Sequence, residues 1–238
     1  RARGPSGRNY RRRTGYTSRP SASRPRPAMS ASPSRLPWLI LVVAAAAGLG
    51  LWLGQRAFAP PAATAPELRS ALRYPQPRPV PPFELTRTDG APLDNRALLG
   101  RWTLAFFGFT HCPDVCPTTL AVFRQVEALA KADPAAPPLA LWFVSVDPAR
   151  DTPQVLGDYA RYFSPAIVAA TGDAAALAAL TPALGIVYAQ SPLPGGGYTV
   201  DHSTQLVVFD PQGRLAAIVR PPHDAAAILA DLRTMAAP

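Results

Sequence analysis

Sulfur and imidazole are scarce in this chain: its 238 residues hold two cysteines, two methionines and three histidines. Cys112 and Cys116 allow at most one internal disulfide, and it would tie only a five-residue loop. No other cysteine follows the apolar run near the N-terminus, which excludes lipid attachment through a spare thiol. Acid is absent from residues 1–35, which carry ten arginines among Pro, Ser and Gly. A segment with so little apolar surface cannot offset its chain entropy, so 1–35 reads as disordered. Its charge would also suit a nucleic-acid-binding tail, the weaker reading. The formal net charge of +9 belongs to the first 79 residues, whereas 80–238 hold ten basic and fourteen acidic groups. A mildly acidic folded part gives nucleic-acid binding no support, and no such partner is expected.

Charge is also missing from residues 36–54. At ~1.5 Å per residue these nearly cross a ~30 Å hydrocarbon core. Trp38 and Trp52 stand near the two ends, as interface aromatics do. The stretch reads as a single-pass anchor in the inner (cytoplasmic) membrane. The arginines before it place the N-terminus inside and the remainder on the periplasmic, extracytoplasmic side. A cleaved signal peptide is the rival. Ala57-Phe58-Ala59 has the form of a cleavage site, but Pro60 hinders cleavage and the apolar run exceeds a usual signal core. The sequence begins with Arg, and Met29 lies just before the apolar run, so translation is expected to start at Met29, with 1–28 upstream of it. Residues 55–82, rich in Ala and Pro, read as a stiff tether holding a domain at 83–238 off the membrane.

In that domain, 103–108 reads as a buried strand, 120–132 as an amphipathic helix and 139–146 as a strand covered on both faces. Thr152-Pro153 opens a helix running to about Phe163, and 174–184 is a short helical stretch. Residues 205–209 and 215–219 flank a hairpin signal at Asp210–Gly213, and 224–235 form a last helix. Strand, cysteine pair, helix, strand, helix, insert, two strands, helix is the order of a thioredoxin-like α/β fold: a central mixed sheet flanked by helices, here preceded by one transmembrane helix.

Both cysteines sit where the first strand hands over to its helix. They could form a structural disulfide, a redox pair or part of a metal site. Pro117 cannot extend a helix begun at Pro113, so the helix is expected to start at Pro117, with Cys116 at its cap. The partial positive charge there favours thiolate. His202 lies just before strand 205–209, and in a thioredoxin-like sheet that loop arrives beside the cysteines. Ordinary thioredoxins carry a cis-proline before this strand, but this chain has Asp201-His202-Ser203-Thr204. Two thiolates and an imidazole suit copper, above all Cu(I), and on ligand type also zinc. Read without the fold, His202 is an ordinary polar loop residue. His111 is expected to point away from Cys112, and His223 to open the last helix. Asp147, Arg150 and Asp151 could orient ligands or meet a partner, but read better as a strand end and a helix cap. Asp114 is expected to be exposed and is not counted as a ligand.

Phe-Thr-His-Cys-Pro-Asp-Val-Cys-Pro-Thr-Thr at 109–119, Val-Ser-Val-Asp-Pro-Ala-Arg-Asp-Thr-Pro at 144–153, Tyr-Thr-Val-Asp-His-Ser at 198–203 and Phe-Asp-Pro-Gln-Gly-Arg-Leu at 209–215 resemble the SCO/SenC family over about 80–236. The resemblance implies a thioredoxin-like fold and copper, Cu(I) with Cu(II) as a second state, held by Cys112, Cys116 and His202. It implies a metallochaperone that helps assemble the binuclear copper site of cytochrome c oxidase, with subunit II or another copper-receiving protein as partner. Delivery rather than catalysis is expected. The alternative is a thiol–disulfide oxidoreductase using Cys112 and Cys116 as a redox pair on its partner's cysteines. The CxxxC spacing and the missing proline count against a general oxidoreductase. No complete peroxiredoxin motif surrounds either cysteine, and a copper or redox sensor would use the same site.

Overall fold

The computed structural model describes residues 35–58 and 67–237. The stretch 1–34 expected to be disordered, the expected start at Met29, the Ala59 cleavage position and the part of the expected tether over 59–66 lie outside them. The chain divides into two units, Arg1–Ala63 and Thr64–Pro238.

In the first unit, helix α1 spans Leu36–Phe58. Pro37 falls in its first turn, where the missing N–H has no helical partner to lose. Leu36–Gln55 has a mean hydropathy of 2.2 and is not buried, so by length and composition it suffices to cross a membrane.

The second unit is built on an eight-stranded mixed sheet. Its strands are β1 (Ala71–Arg78), β2 (Glu84–Arg87), β3 (Pro92–Asp94), β4 (Trp102–Gly108), β5 (Leu139–Ser145), β6 (Ile167–Thr171), β9 (Leu206–Phe209) and β10 (Leu215–Val219). Between β6 and β9 the chain forms a separate two-stranded hairpin, β7 (Tyr188–Pro192) and β8 (Tyr198–His202). The sheet order is β1-β10-β9-β4-β5-β6-β2-β3. Helices α2 (Val115–Ala132) and α3 (Pro153–Phe163) link β4, β5 and β6, which run parallel; α4 (Ala174–Leu180) and α5 (Ala225–Ala236) follow β6 and β10.

β4 and β5 are apolar because both are covered. All seven residues of β4 are buried, and Phe106, Phe107, Phe109, Phe123 and Phe143 are among the largest fully buried side chains. Each such side chain contributes roughly 1.5–3 kcal/mol by leaving water. Gly108 pairs with Ser145, and Ser145 with Thr171, so the three parallel strands end level. The loops that leave them share one edge, where open α/β sheets place their sites.

The sheet has more strands than the sequence suggests. Residues 71–78 leave the expected tether and pair with β10. Pro75 and Pro77 are tolerated because β1 is an edge strand, and its register shifts between Arg73 and Arg78. β6 and the β7–β8 hairpin occupy stretches that the sequence leaves without a strand, and His202 ends a strand rather than lying in a loop. α2 starts at Val115, two residues before Pro117. Pro117 is thus its third residue, still within the turn whose N–H groups have no helical partner.

Candidate metal centre

Cys112 lies in the loop after β4, and Cys116 is the second residue of α2. Cys112 is 9% exposed and Cys116 is fully buried. The Cys116 backbone N–H donates to Cys112 Sγ at 3.4 Å, so one of the free N–H groups at the helix start points at sulfur.

His202 reaches the pair from the end of β8. Its Nε2 lies 3.5 Å from Cys116 Sγ, and ligand atoms of Cys112, Cys116 and His202 all lie within 4.8 Å of one another. His202 Nδ1 is 2.9 Å from the Ser203 carbonyl, which can only accept, so Nδ1 carries the proton and Nε2 turns its lone pair to the sulfurs. Phe106 and Phe109 pack edge-on to the imidazole, each with ring centroids 5.7 Å away. Burial lowers the His202 pKa, which keeps the ring neutral and able to ligate.

For the thiols, burial matters more than the helix terminus. Burial above all, partly opposed by a backbone hydrogen bond at Phe109, pushes the Cys116 thiol far above its ordinary range. The thiolate favoured at a helix start is therefore not the resting form of Cys116. A soft cation reverses this, because coordination deprotonates a thiol outright. The donor set fits such an ion. Bonds of about 2.0–2.3 Å to nitrogen and sulfur put donors about 3.5–4 Å apart, so a span of 4.8 Å closes with small side-chain shifts.

Gly108 makes this packing possible. A Cβ there would lie 2.7 Å from Cys116 Sγ, 3.0 Å from Phe106 and 3.1 Å from Phe143. Gly108→Ala must displace the Cys116 sulfur or the strand beside it. The expected result is a loss of about 1–3 kcal/mol in unfolding free energy by chemical denaturation, with weaker soft-metal binding. An unchanged stability would show that the pocket around Cys116 yields freely.

Behind these three side chains lies a network where the sequence points mainly to a strand end and a cap. Thr152 does cap α3, accepting from the Val155 N–H, but Asp151 turns inward. Its Oδ2 accepts from the Thr110 N–H at 3.0 Å and Ser145 Oγ at 2.5 Å, and its Oδ1 from Thr110 Oγ1 at 2.6 Å. A buried carboxylate thus holds the residue two places before Cys112. Asp147 accepts from Arg150 Nε at 2.5 Å and from the Tyr198 hydroxyl at 2.8 Å. Phe109 and Tyr198 also escaped the sequence reading, since an aromatic in a motif looks the same whether it packs or positions. His111 is half-exposed and faces Thr110 and Asp151, away from the cluster. Asp114 is exposed at the start of α2 without a side-chain cap bond. His223 precedes α5, but Asp224 is the cap.

The profile of the SCO1/SenC family matches residues 73–237. A Stutzerimonas stutzeri protein named for copper binding is 37% identical over 153 residues, 64% of this chain and 74% of that protein. The mitochondrial SCO1 homologue of Homo sapiens is 36% identical over 133 residues, 56% of this chain and 44% of that one. The chain therefore spans about three quarters of the bacterial relative and less than half of the mitochondrial one. The copper-bound structure of Bradyrhizobium japonicum ScoI superimposes with a TM-score of 0.59 at 34% identity, covering 65% of this chain and 97% of that one.

Proposed function

The chain belongs to the SCO1/SenC family, and on that premise we propose that it is a membrane-anchored copper metallochaperone whose Cys112, Cys116 and His202 carry the metal as cargo. The observation that carries this reading is the convergence of two sulfurs and one nitrogen within 4.8 Å. Two thiolates and an imidazole are soft enough to favour Cu(I), and the imidazole also admits Cu(II).

The unequal burial of the cysteines suits delivery. Cys116 holds the ion from the inside, while Cys112, 9% exposed, and the partly buried His202 lie nearer solvent. A partner thiolate entering on the Cys112 side takes up the copper as the Cys112 bond loosens, and the remaining ligands follow. The partner that the family resemblance implies is cytochrome c oxidase subunit II, whose binuclear copper site receives the cargo. Oxidation of Cys112 and Cys116 to a disulfide releases two electrons and two protons and removes two of the three donors, so loading needs the reduced pair. Helix α1 supplies the anchor, with the N-terminus inside and the Thr64–Pro238 unit on the extracytoplasmic side.

A second reading has its own support. Cys112 is the more accessible sulfur and receives the Cys116 N–H, the arrangement of an attacking thiolate. In that role the pair reduces a disulfide on the copper-receiving partner and is itself oxidised. Metal analysis of the reduced full chain in detergent micelles tests between the two. One equivalent of tightly held copper is expected. A protein that holds none, yet turns over a disulfide substrate, would leave the reductase reading standing alone.

A further inference from the structure

The hairpin that delivers His202 stands outside the main sheet, and its Val200 packs into the core. Among the described residues, β7 and β8 pair only with each other and not with the eight-stranded sheet. An arm held this way does not by itself fix an imbalanced ligand set, in which two donors sit on one loop and helix and the third arrives from a separate element.

We infer that Arg150 is a positioning residue for His202, a clasp between the β5–α3 turn, the cysteine loop and the hairpin. This deepens the copper reading and rests on it. One guanidinium meets all three elements. Its Nε donates to Asp147 Oδ2 at 2.5 Å within its own turn. Its Nη1 donates to the Tyr198 carbonyl at 2.8 Å, at the first residue of the strand that ends in His202. Its carbon lies 3.9 Å from the centroid of the Tyr198 ring and 5.7 Å from that of Phe109. The Tyr198 hydroxyl closes the circuit by donating to Asp147 Oδ1 at 2.8 Å.

One arm of this circuit packs on the imidazole, and the other holds the start of the strand that carries it. Tyr198 starts β8, four residues before His202. Phe109 stands three residues before Cys112 and packs its ring at 90° to the His202 ring. Arg150 therefore acts on the relative position of ligand and cysteine loop, and it touches no donor atom itself. Its Nη2 is buried and has no hydrogen-bond partner among the described residues, an expensive placement in a site that merely caps a turn. Stacking on an aromatic face while hydrogen-bonding at the edge is what guanidinium geometry allows and an ammonium does not.

The test uses the reduced full chain in detergent micelles, a Cu(I) competition titration, and hydrogen exchange of the metal-free protein. Arg150→Met is expected to speed amide exchange over Tyr198–His202 and to weaken Cu(I) binding about 10–100-fold, the usual effect of losing a residue that orients a ligand. In a His202→Ala background the same change should leave Cu(I) affinity unaltered, because the effect travels through the imidazole. If Arg150→Met does not fold, Arg150→Lys carries the same comparison, since it keeps the charge at Asp147 but loses the planar stack. The clasp is overturned if either variant binds Cu(I) like the parent, or weakens it equally with and without His202. If His202→Ala alone leaves Cu(I) affinity intact, the copper reading of His202 fails instead, and exchange over β8 still reports the contact.

Discussion

Cys116→Ser is expected to weaken Cu(I) binding by the reduced protein by more than about 100-fold, beyond the upper range for losing a residue that only orients a ligand. Cys116 is fully buried, its sulfur is 3.5 Å from His202 Nε2, and burial holds it as a thiol until a cation claims the proton. Serine offers a hard oxygen whose proton is far harder to remove, and Cu(I) prefers sulfur. Two donors then remain, and the innermost one is gone. The substitution trades sulfur for the smaller oxygen without adding charge, so the metal-free protein should unfold near the parent's temperature. The measurement is competition with a Cu(I) chelator under reductant. A Cys116→Ser protein that competes as well as its parent would remove the thiol from the site, whatever the geometry suggests.

Asp231→Ala is expected to destabilise the protein by about 3–5 kcal/mol, because several donors lose their acceptor at about 1–3 kcal/mol each. Asp231 lies on α5 and is 2% exposed. Its oxygens accept from the backbone N–H groups of Arg69, Ser70 and Ala71 at 2.7, 2.7 and 2.8 Å, and from Ser70 Oγ at 2.9 Å. Without the carboxylate, successive donors are left without an acceptor where β1 joins the sheet. At about 2–4 °C per kcal/mol for a domain of this size, the unfolding midpoint should fall by roughly 10 °C. Asp231→Asn should fall between the two, because its amide retains one accepting oxygen and turns N–H against N–H on the other side. Scanning calorimetry of the three proteins decides it. A midpoint for Asp231→Ala within about 2 °C of the parent would mean that water replaces the carboxylate freely and that β1 is not pinned there.

These two sites differ in how far they could be read in advance. The cysteine pair is a local pattern, and five residues between an apolar strand and a helix sufficed to mark it. The same holds for the alternation of buried strands and amphipathic helices, since β4, β5, α2 and α3 each carry their own periodicity or caps. Asp231 carried no such mark. It is an acid in an Ala-rich helix, and only the arrival of residues 69–71, some 160 positions earlier, gives it a partner. The edge strand β1 was hidden for the same reason: prolines signal a tether unless the sheet leaves that edge unpaired. Arg150 was visible as part of a motif, but its stack between Tyr198 and Phe109 depends on the hairpin's position, which no local rule fixes.

Sequence by itself determined that two thiols stand at a strand-to-helix junction, that a span of apolar helix precedes them, and that a histidine lies ahead of a late strand. Those are statements about neighbours along the chain, where spacing and hydropathy act directly. Tertiary structure alone decided the rest. It brought His202 across 86 residues to Cys116, fixed its protonated nitrogen on Ser203, and buried Cys116 far enough to hold its proton. It also started α2 two residues early, so that the Cys116 N–H points at Cys112. Distance between atoms, tautomer and desolvation depend on what packs from elsewhere in the chain, and only the folded sheet brings those groups together.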